Sequence, residues 1–341
     1  MKIAILGAGA WGTALAIALA PRHHVWLWAR DAAQVALMNT HRENPRYLAD
    51  CPFPEALQVT GDFNTAVASA ELLILAVPLA GLRPLLEQLR QLGTSATPAP
   101  RRFLWVCKGL EAMTGKLPHQ VVTDVLNPAT SAADTPPTSF WGALTGPSFA
   151  FEVARGLPTA LTLAATDMTF ATDIAHALHG GNLRIYANDD LTGAEVGGAV
   201  KNVMAIAAGV SDGLGLGHNA RAALLTRGLV EITRFGVALG ARRETFTGLT
   251  GLGDLILTST GDLSRNRRVG LLLAEGQNLT TIQNTLGHVA EGVFTAREVA
   301  QRAAAMGIDM PITTAVAGLL DGRISPRETV HQLMARDART E

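Results

Sequence analysis

Lys2-Ile3-Ala4-Ile5-Leu6-Gly7-Ala8-Gly9-Ala10-Trp11-Gly12 is a short apolar strand running straight into three glycines, after which Thr13–Ala20 reads as a helix. Each glycine has its own mechanical task. Gly7 permits the tight turn, Gly9 lets backbone come close to a pyrophosphate, and Gly12 lets the helix pack against the strand. The start of the helix then offers N–H groups and a partial positive charge to phosphate oxygens. A second strand, His24–Ala29, follows one crossover later. With a strand before it and a helix after it, this stretch predicts a dinucleotide-binding turn.

Working outward, strand signals recur at Leu72–Val77 and Phe103–Val106, with helical stretches between the early ones, of which Leu82–Leu92 is the clearest. Such alternation predicts a parallel sheet covered on both faces. Ala143–Thr145, Ala160–Ala164 and Leu183–Tyr186 are expected to extend the same sheet. Thr94–Arg102 and Asn127–Ser139, rich in Pro, Thr, Ser and Ala, read as surface loops, the second as an insertion. Past Asn188 helices dominate: Leu191–Gly209, Ala220–Leu239, Arg265–Glu275, Thr280–Leu286, Val293–Met306, Pro311–Asp321 and Pro326–Met334. The expectation is an α/β Rossmann-type domain with a mainly parallel sheet over residues 1–188 and an all-α domain over 189–341. Gly-rich turns at Ser211–Asn219 and Gly248–Asp254 would join the helices.

Composition narrows the function. At 341 residues, 48% apolar and 17% charged, the chain is long enough for two packed cores. A net charge of −1 with no basic block argues against nucleic-acid binding. Cys51 and Cys107 are too few for a disulfide framework, and the nine histidines show no metal-ligand spacing, so no metal is assigned. The apolar runs Leu72–Val77 and Val203–Val210 are too short to span a bilayer. The chain opens inside its first strand, which leaves no room for a signal peptide, and a cytoplasmic location is expected. The apolar helical domain makes a homodimer plausible.

Three stretches supply chemistry for a substrate beside a nicotinamide. In Glu195-Val196-Gly197-Gly198-Ala199-Val200-Lys201-Asn202-Val203-Met204, Val196, Val200 and Val203 trace one helix face. Two adjacent glycines inside a helix each cost up to about 1 kcal/mol relative to alanine. That cost makes sense where another backbone or a ligand comes close. Lys201 is either a general acid/base or a lysine whose stem packs on the helix while its ammonium reaches water. In Asp262-Leu263-Ser264-Arg265-Asn266-Arg267-Arg268, Ser264 is a good N-cap. The basic first turn is unfavourable by itself and would be relieved by a phosphate, although a capped surface helix with solvated arginines reads the same. Upstream, Asp254 on Gly251-Leu252-Gly253 either orients Lys201, accepts from a substrate hydroxyl, or belongs to a tight turn. Lys108-Gly109-Leu110-Glu111 follows strand Phe103–Val106, and Gly146-Pro147-Ser148-Phe149-Ala150 follows another. Ligands of open α/β sheets sit outside the carboxyl ends of strands.

Taken together, these stretches closely resemble the NAD(P)-dependent glycerol-3-phosphate dehydrogenases of the bacterial type. Asp212-Gly213-Leu214-Gly215, Thr226-Arg227-Gly228-Leu229 and Val289-Ala290-Glu291-Gly292 carry the same resemblance. It implies a C-terminal domain like that of 6-phosphogluconate dehydrogenase. The implied reaction is reversible hydride transfer between NAD(P)H and dihydroxyacetone phosphate, giving sn-glycerol 3-phosphate for glycerophospholipid synthesis. By the same resemblance Lys201 is the catalytic acid/base, and Lys108, Gly146, Ser148, Asn202, Asp254, Ser264, Arg265 and Asn266 contact the substrate. Gly7, Gly9, Trp11, Gly12, Arg30, Lys108, Ala150, Arg265, Val289 and Glu291 contact the cofactor. The alternatives are a related hydroxyacid dehydrogenase, of the 6-phosphogluconate or 3-hydroxyisobutyrate type, and a non-catalytic NADPH-binding sensor.

Arg30 bears on which nicotinamide is used. NAD sites place an acid about twenty residues past the glycines for the ribose 2′-OH, whereas a nearby Arg accommodates a 2′-phosphate. Strand His24–Ala29 ends in Arg30-Asp31, which favours NADP over NAD. Asp31 is the complication: turned inward, it would bind the 2′-OH and repel the phosphate. For Lys201, burial and Lys108 would lower its pKa and Asp254 would raise it; sequence leaves the balance open.

Overall fold

Residues 1–92, 102–126, 140–286 and 290–335 are described by the structure, a computed structural model. The expected loop Asn127–Ser139, all of the expected loop Thr94–Arg102 except Arg102, and Val289 lie outside the described residues; Arg102 is not loop but the first residue of a strand. The chain divides into two compact units, one of residues 1–107 and 118–191, the other of 108–117 and 192–341.

Among the described residues the first unit carries eight strands: β1 (Lys2–Leu6), β2 (His24–Trp28), β3 (Gln58–Thr60), β4 (Leu72–Leu75), β5 (Arg102–Trp105), β6 (Phe140–Thr145), β7 (Thr159–Ala164) and β8 (Leu183–Asn188). Between them run α1 (Ala10–Leu19), α2 (Ala32–His41), α3 (Phe63–Ala68), α4 (Leu79–Leu92), α5 (Pro118–Leu126), α6 (Ala150–Ala154) and α7 (Met168–Leu178). The strand order is β3-β2-β1-β4-β5-β6-β7-β8. All neighbours are parallel except β6 and β7. Ile3, Ile5, Leu27, Leu72, Ile74 and Leu104 are almost wholly buried, as strands covered on both faces require. The order reverses between β1 and β4, the switch point at which such sheets bind nucleotides. Leu6 pairs with both Trp28 and Leu75, so Gly7, Ala29 and Ala76 leave the sheet side by side.

The second unit is helical: α8 (Leu191–Gly213), α9 (Gly217–Ala238), α10 (Asp254–Thr260), α11 (Arg265–Ala274), α12 (Leu279–Leu286), α13 (Glu291–Ala305), α14 (Pro311–Leu320) and α15 (Pro326–Met334). Its centre is α8, buried along most of its length; Val196, Ala199, Val200, Val203, Met204 and Ile206 have no exposed surface. Leu110 and Leu117 belong to this unit's core although they lie far upstream in sequence. Backbone-to-backbone packing seats α11 on α8: a Cβ on Gly209 would stand 2.0 Å from the Arg267 carbonyl oxygen, and one on Gly270 would stand 2.1 Å from that of Ile206.

Two expected turns are corrected. Ser211–Asn219 is mostly helix, because α8 runs on to Gly213 and α9 begins at Gly217. Gly248–Asp254 is a wide helical turn over Leu249–Gly253 that runs directly into α10.

Candidate active site

In the first unit, the glycines of the opening motif divide by cause. A Cβ on Gly7 would meet the Ala76 carbonyl oxygen at 2.5 Å, and one on Gly12 would meet that of Gly7 at 2.0 Å, so both are required by the protein's own packing. A Cβ on Gly9 would meet nothing within 4 Å. The space above Gly9 is therefore what the second glycine preserves, and it fits an approaching pyrophosphate. Gly9 is also the N-cap of α1 and brings no side-chain hydrogen bond, leaving the first-turn N–H groups for an anion. The Ala8 carbonyl is held by Gln34 Nε2 at 2.7 Å and by buried Asn44 Nδ2 at 3.0 Å. In a trans peptide the C=O and the following N–H point in opposite directions. Fixing the Ala8 oxygen toward Asn44 thus aims the Gly9 N–H the other way.

Arg30 is exposed just past β2, and no hydrogen bond or ion pair engages it among the described residues. Asp31 does not behave as an inward-facing acid. Its Oδ1 accepts from the N–H groups of Ala33 (2.9 Å) and Gln34 (3.3 Å), capping α2, and its Oδ2 pairs with Arg46 Nη1 at 3.1 Å. Gly146 follows β6 with φ +130, and Ser148 Oγ donates to its carbonyl at 3.4 Å. Ala150 opens α6.

The second unit holds the titratable cluster. Lys201 projects from the middle of α8 and is 7% exposed. One helical turn earlier, a Cβ on Gly197 would lie 2.3 Å from the Thr250 carbonyl oxygen. The close-approach reading of this glycine holds, and the approaching group is backbone. That crossing delivers Asp254, 1% exposed, to Lys201 at the start of α10. Lys201 Nζ donates to Asp254 Oδ1, and to Thr258 Oγ1 at 2.8 Å. Lys108 Nζ reaches Asp254 Oδ2 at 2.7 Å. One carboxylate thus sits between two ammonium groups, and Asp254 is the hub of the cluster rather than turn chemistry. Thr258, four residues on from Asp254 and on the same face of α10, is absent from the sequence reading.

Burial pushes the Lys201 pKa down to about 8, with Lys108 adding to the fall and Asp254 opposing it. For Asp254, burial raises the pKa, but the two lysines more than offset it and hold the carboxyl below its ordinary value. Glu291, at the start of α13, is pushed up by burial against the pull of Arg265, Lys108 and Lys201.

Beside the lysines, Asn266 Nδ2 donates to Asn202 Oδ1 at 3.0 Å while its Oδ1 accepts from the Gly292 N–H at 3.1 Å. One amide therefore ties α8, α11 and α13 together. Ser264 Oγ caps α11 by accepting from the Arg267 N–H at 3.2 Å. The basic first turn splits by role. Arg267 is held by Asp212 (2.8 Å) and Asp262 (3.0 Å), whereas Arg265 is exposed with no hydrogen-bonded partner among the described residues.

Known proteins match this chain over its length. Models of the NAD-dependent glycerol-3-phosphate dehydrogenase N-terminus and C-terminus match residues 2–171 and 190–331. The chain belongs to this family. It is 58% identical over 341 residues to the glycerol-3-phosphate dehydrogenase (NAD(P)+) of Dechloromonas aromatica, covering 100% of this chain and 99% of that one. It is 57% identical over 342 residues to the protein of the same name from Aromatoleum aromaticum, covering 100% of both. The crystal structure of glycerol-3-phosphate dehydrogenase from Coxiella burnetii superposes with a TM-score of 0.90 at 40% identity, over 98% of this chain and 99% of that one. No helix among the described residues is long and apolar enough to cross a membrane.

Proposed function

We propose that the protein is an NAD(P)-dependent glycerol-3-phosphate dehydrogenase that reduces dihydroxyacetone phosphate to sn-glycerol 3-phosphate, with NADPH preferred, and so supplies glycerophospholipid synthesis. The observation that carries the mechanism is the buried Lys201 held against Asp254, Thr258 and the repulsion of Lys108. Bound NAD(P)H supplies the hydride. Lys201 supplies the proton: its Nζ is the ammonium that passes a proton to the C2 oxygen as that oxygen gains charge. With a pKa of about 8 it is mostly ammonium at neutral pH, yet it loses its proton far more readily than a free lysine would. In the reverse direction the neutral amine accepts the proton of the glycerol hydroxyl.

Asp254 keeps Lys201 pointed and protonated, and Lys108 keeps its pKa from climbing back. Asn202, oriented through its Oδ1 by Asn266, presents its amide beside Lys201. Arg265 and the start of α11 hold the substrate phosphate, joining a free guanidinium to helix N–H groups. The α1 N–H groups, Trp11 and Ala150 hold the dinucleotide, with Arg30 on its 2′-phosphate. Cys51 and Cys107 are both buried thiols, which suits a reducing compartment, and we place the enzyme in the cytoplasm. The exposed Val230 and Val237 on one face of α9 support a homodimer.

The test is NADPH oxidation, followed by absorbance, with dihydroxyacetone phosphate and with unphosphorylated dihydroxyacetone. Rapid turnover of the phosphorylated ketone alone is expected. No turnover of it, or equal turnover of both, overturns the reading.

A further inference from the structure

The loop between α2 and β3 is built to one place. Arg42 donates to the carbonyls of Leu57 (3.1 Å) and Pro54 (2.7 Å), and Asn44 and Leu48 form an antiparallel bridge. Asn44, with no exposed surface, is anchored to the Ala8 carbonyl in the glycine turn and to Thr13 Oγ1 at 2.8 Å. Two residues beyond this anchor, Arg46 lies over the Tyr47 ring at 5.1 Å and pairs with Asp31. Asp31 occupies the position from which an acid takes the ribose 2′-OH in NAD-selective sites. Here its two oxygens are turned to the α2 N-terminus and to Arg46. Asp62, past the end of neighbouring β3, is likewise engaged as an N-cap, with the Asn64 N–H (2.9 Å) and Thr65 Oγ1 (2.6 Å).

We propose that Arg46 is a specificity-determining residue for the cofactor, acting by neutralising and turning away Asp31 while adding a second guanidinium to the 2′-phosphate subsite beside Arg30. The inference rests on the NADPH preference assigned above. Arg46 places one Nη on Asp31, which leaves the rest of its fork for phosphate oxygens. The ion pair is exposed, so it does not hold Arg46 back from a doubly charged ligand. Without Arg46, the Asp31 charge faces the phosphate unopposed and its Oδ2 is released for a 2′-OH.

The test is equilibrium binding by calorimetry, with no turnover involved. NADPH, NADH, adenosine 2′,5′-bisphosphate and 5′-AMP are titrated into the wild type, Arg46→Ala, Arg30→Ala and the double variant Arg46→Ala/Asp31→Asn. Asparagine keeps the α2 cap. In Arg46→Ala, NADPH and the bisphosphate are expected to bind roughly tenfold or more weakly, the loss of a charge-assisted contact. NADH and 5′-AMP should hold or tighten. The added Asp31→Asn change should restore part of the lost NADPH affinity. If Arg46→Ala keeps wild-type discrimination while Arg30→Ala loses it, the role of Arg46 is overturned and the NADPH reading stands. A wild type that binds NADH as tightly as NADPH overturns both.

Discussion

Replacing Asp254 by Asn removes one charge from the Lys201 cluster while keeping its shape. Asp254 is the group that raises the Lys201 pKa; burial and Lys108 both lower it. Opposite charges about 4 Å apart at an effective dielectric of about 20 attract by about 4 kcal/mol. At about 1.36 kcal/mol per pKa unit, that is about three units. The Lys201 pKa should therefore fall from about 8 to about 5. At pH 7 the ammonium fraction drops from about 90% to about 1%. Reductive kcat at pH 7 is then expected to fall about 100-fold and to recover about tenfold per unit as pH is lowered toward 5. Glycerol 3-phosphate oxidation, which needs the neutral amine, loses its acid limb instead. Lys108→Met should move the inflection the other way, since Lys108 holds the Lys201 pKa down. The assay is the pH profile of kcat in both directions, beside a thermal melt confirming that each variant folds. An inflection still near 8 in Asp254→Asn, or a loss equal at every pH, refutes the assignment of Lys201 as a proton carrier tuned by Asp254.

Lys201→Met should lower kcat at least about 100-fold in both directions while calorimetric NADPH affinity stays within a factor of about two; turnover within a few-fold of wild type removes Lys201 from the chemistry. Arg265→Ala should weaken dihydroxyacetone phosphate by about 1.5–3 kcal/mol in kcat/KM, with little effect on dihydroxyacetone. Equal losses on both ketones would place the phosphate elsewhere. Arg30→Ala should selectively lower NADPH affinity, and an unchanged NADPH/NADH ratio in steady-state kinetics would contradict it.

The opening turn, the parallel sheet and the helical second half were legible because each depends on local pattern: short continuous apolar runs, a strand ending in glycines, long helical stretches. β3 was not, since Gln58–Thr60 is three residues long with no fully buried side chain. Nor was the antiparallel pairing of β6 with β7, because strand direction is decided by how the chain returns and not by residue pattern. The glycines before Asp254 read as a turn because glycine is a poor helix former. In the structure Gly251 is there for room: a Cβ would meet the Phe246 carbonyl oxygen at 2.1 Å. Lys201, Asp254 and Lys108 could each be picked out by type, but their meeting at one carboxylate, and burial prevailing over the counter-charge, are tertiary facts. The same is true of Arg46, whose partner lies 15 residues away.

The ten residues Lys108–Leu117 leave the first unit, complete the second and return. The boundary along which the family's two halves are matched, between residues 171 and 190, is therefore not the boundary of the folded bodies. A fragment cut at that junction would carry Lys201 and Asp254 but leave Lys108 behind, and with it Leu110 and Leu117, which are 3% and 1% exposed in the second core. Such a fragment would face water with a gap in its interior and one cation missing from the cluster around Asp254. Recombination or split-protein schemes that swap the helical half between relatives must transplant this short excursion with it, or else pair the Asp254 carboxylate of one parent with a lysine shaped by another.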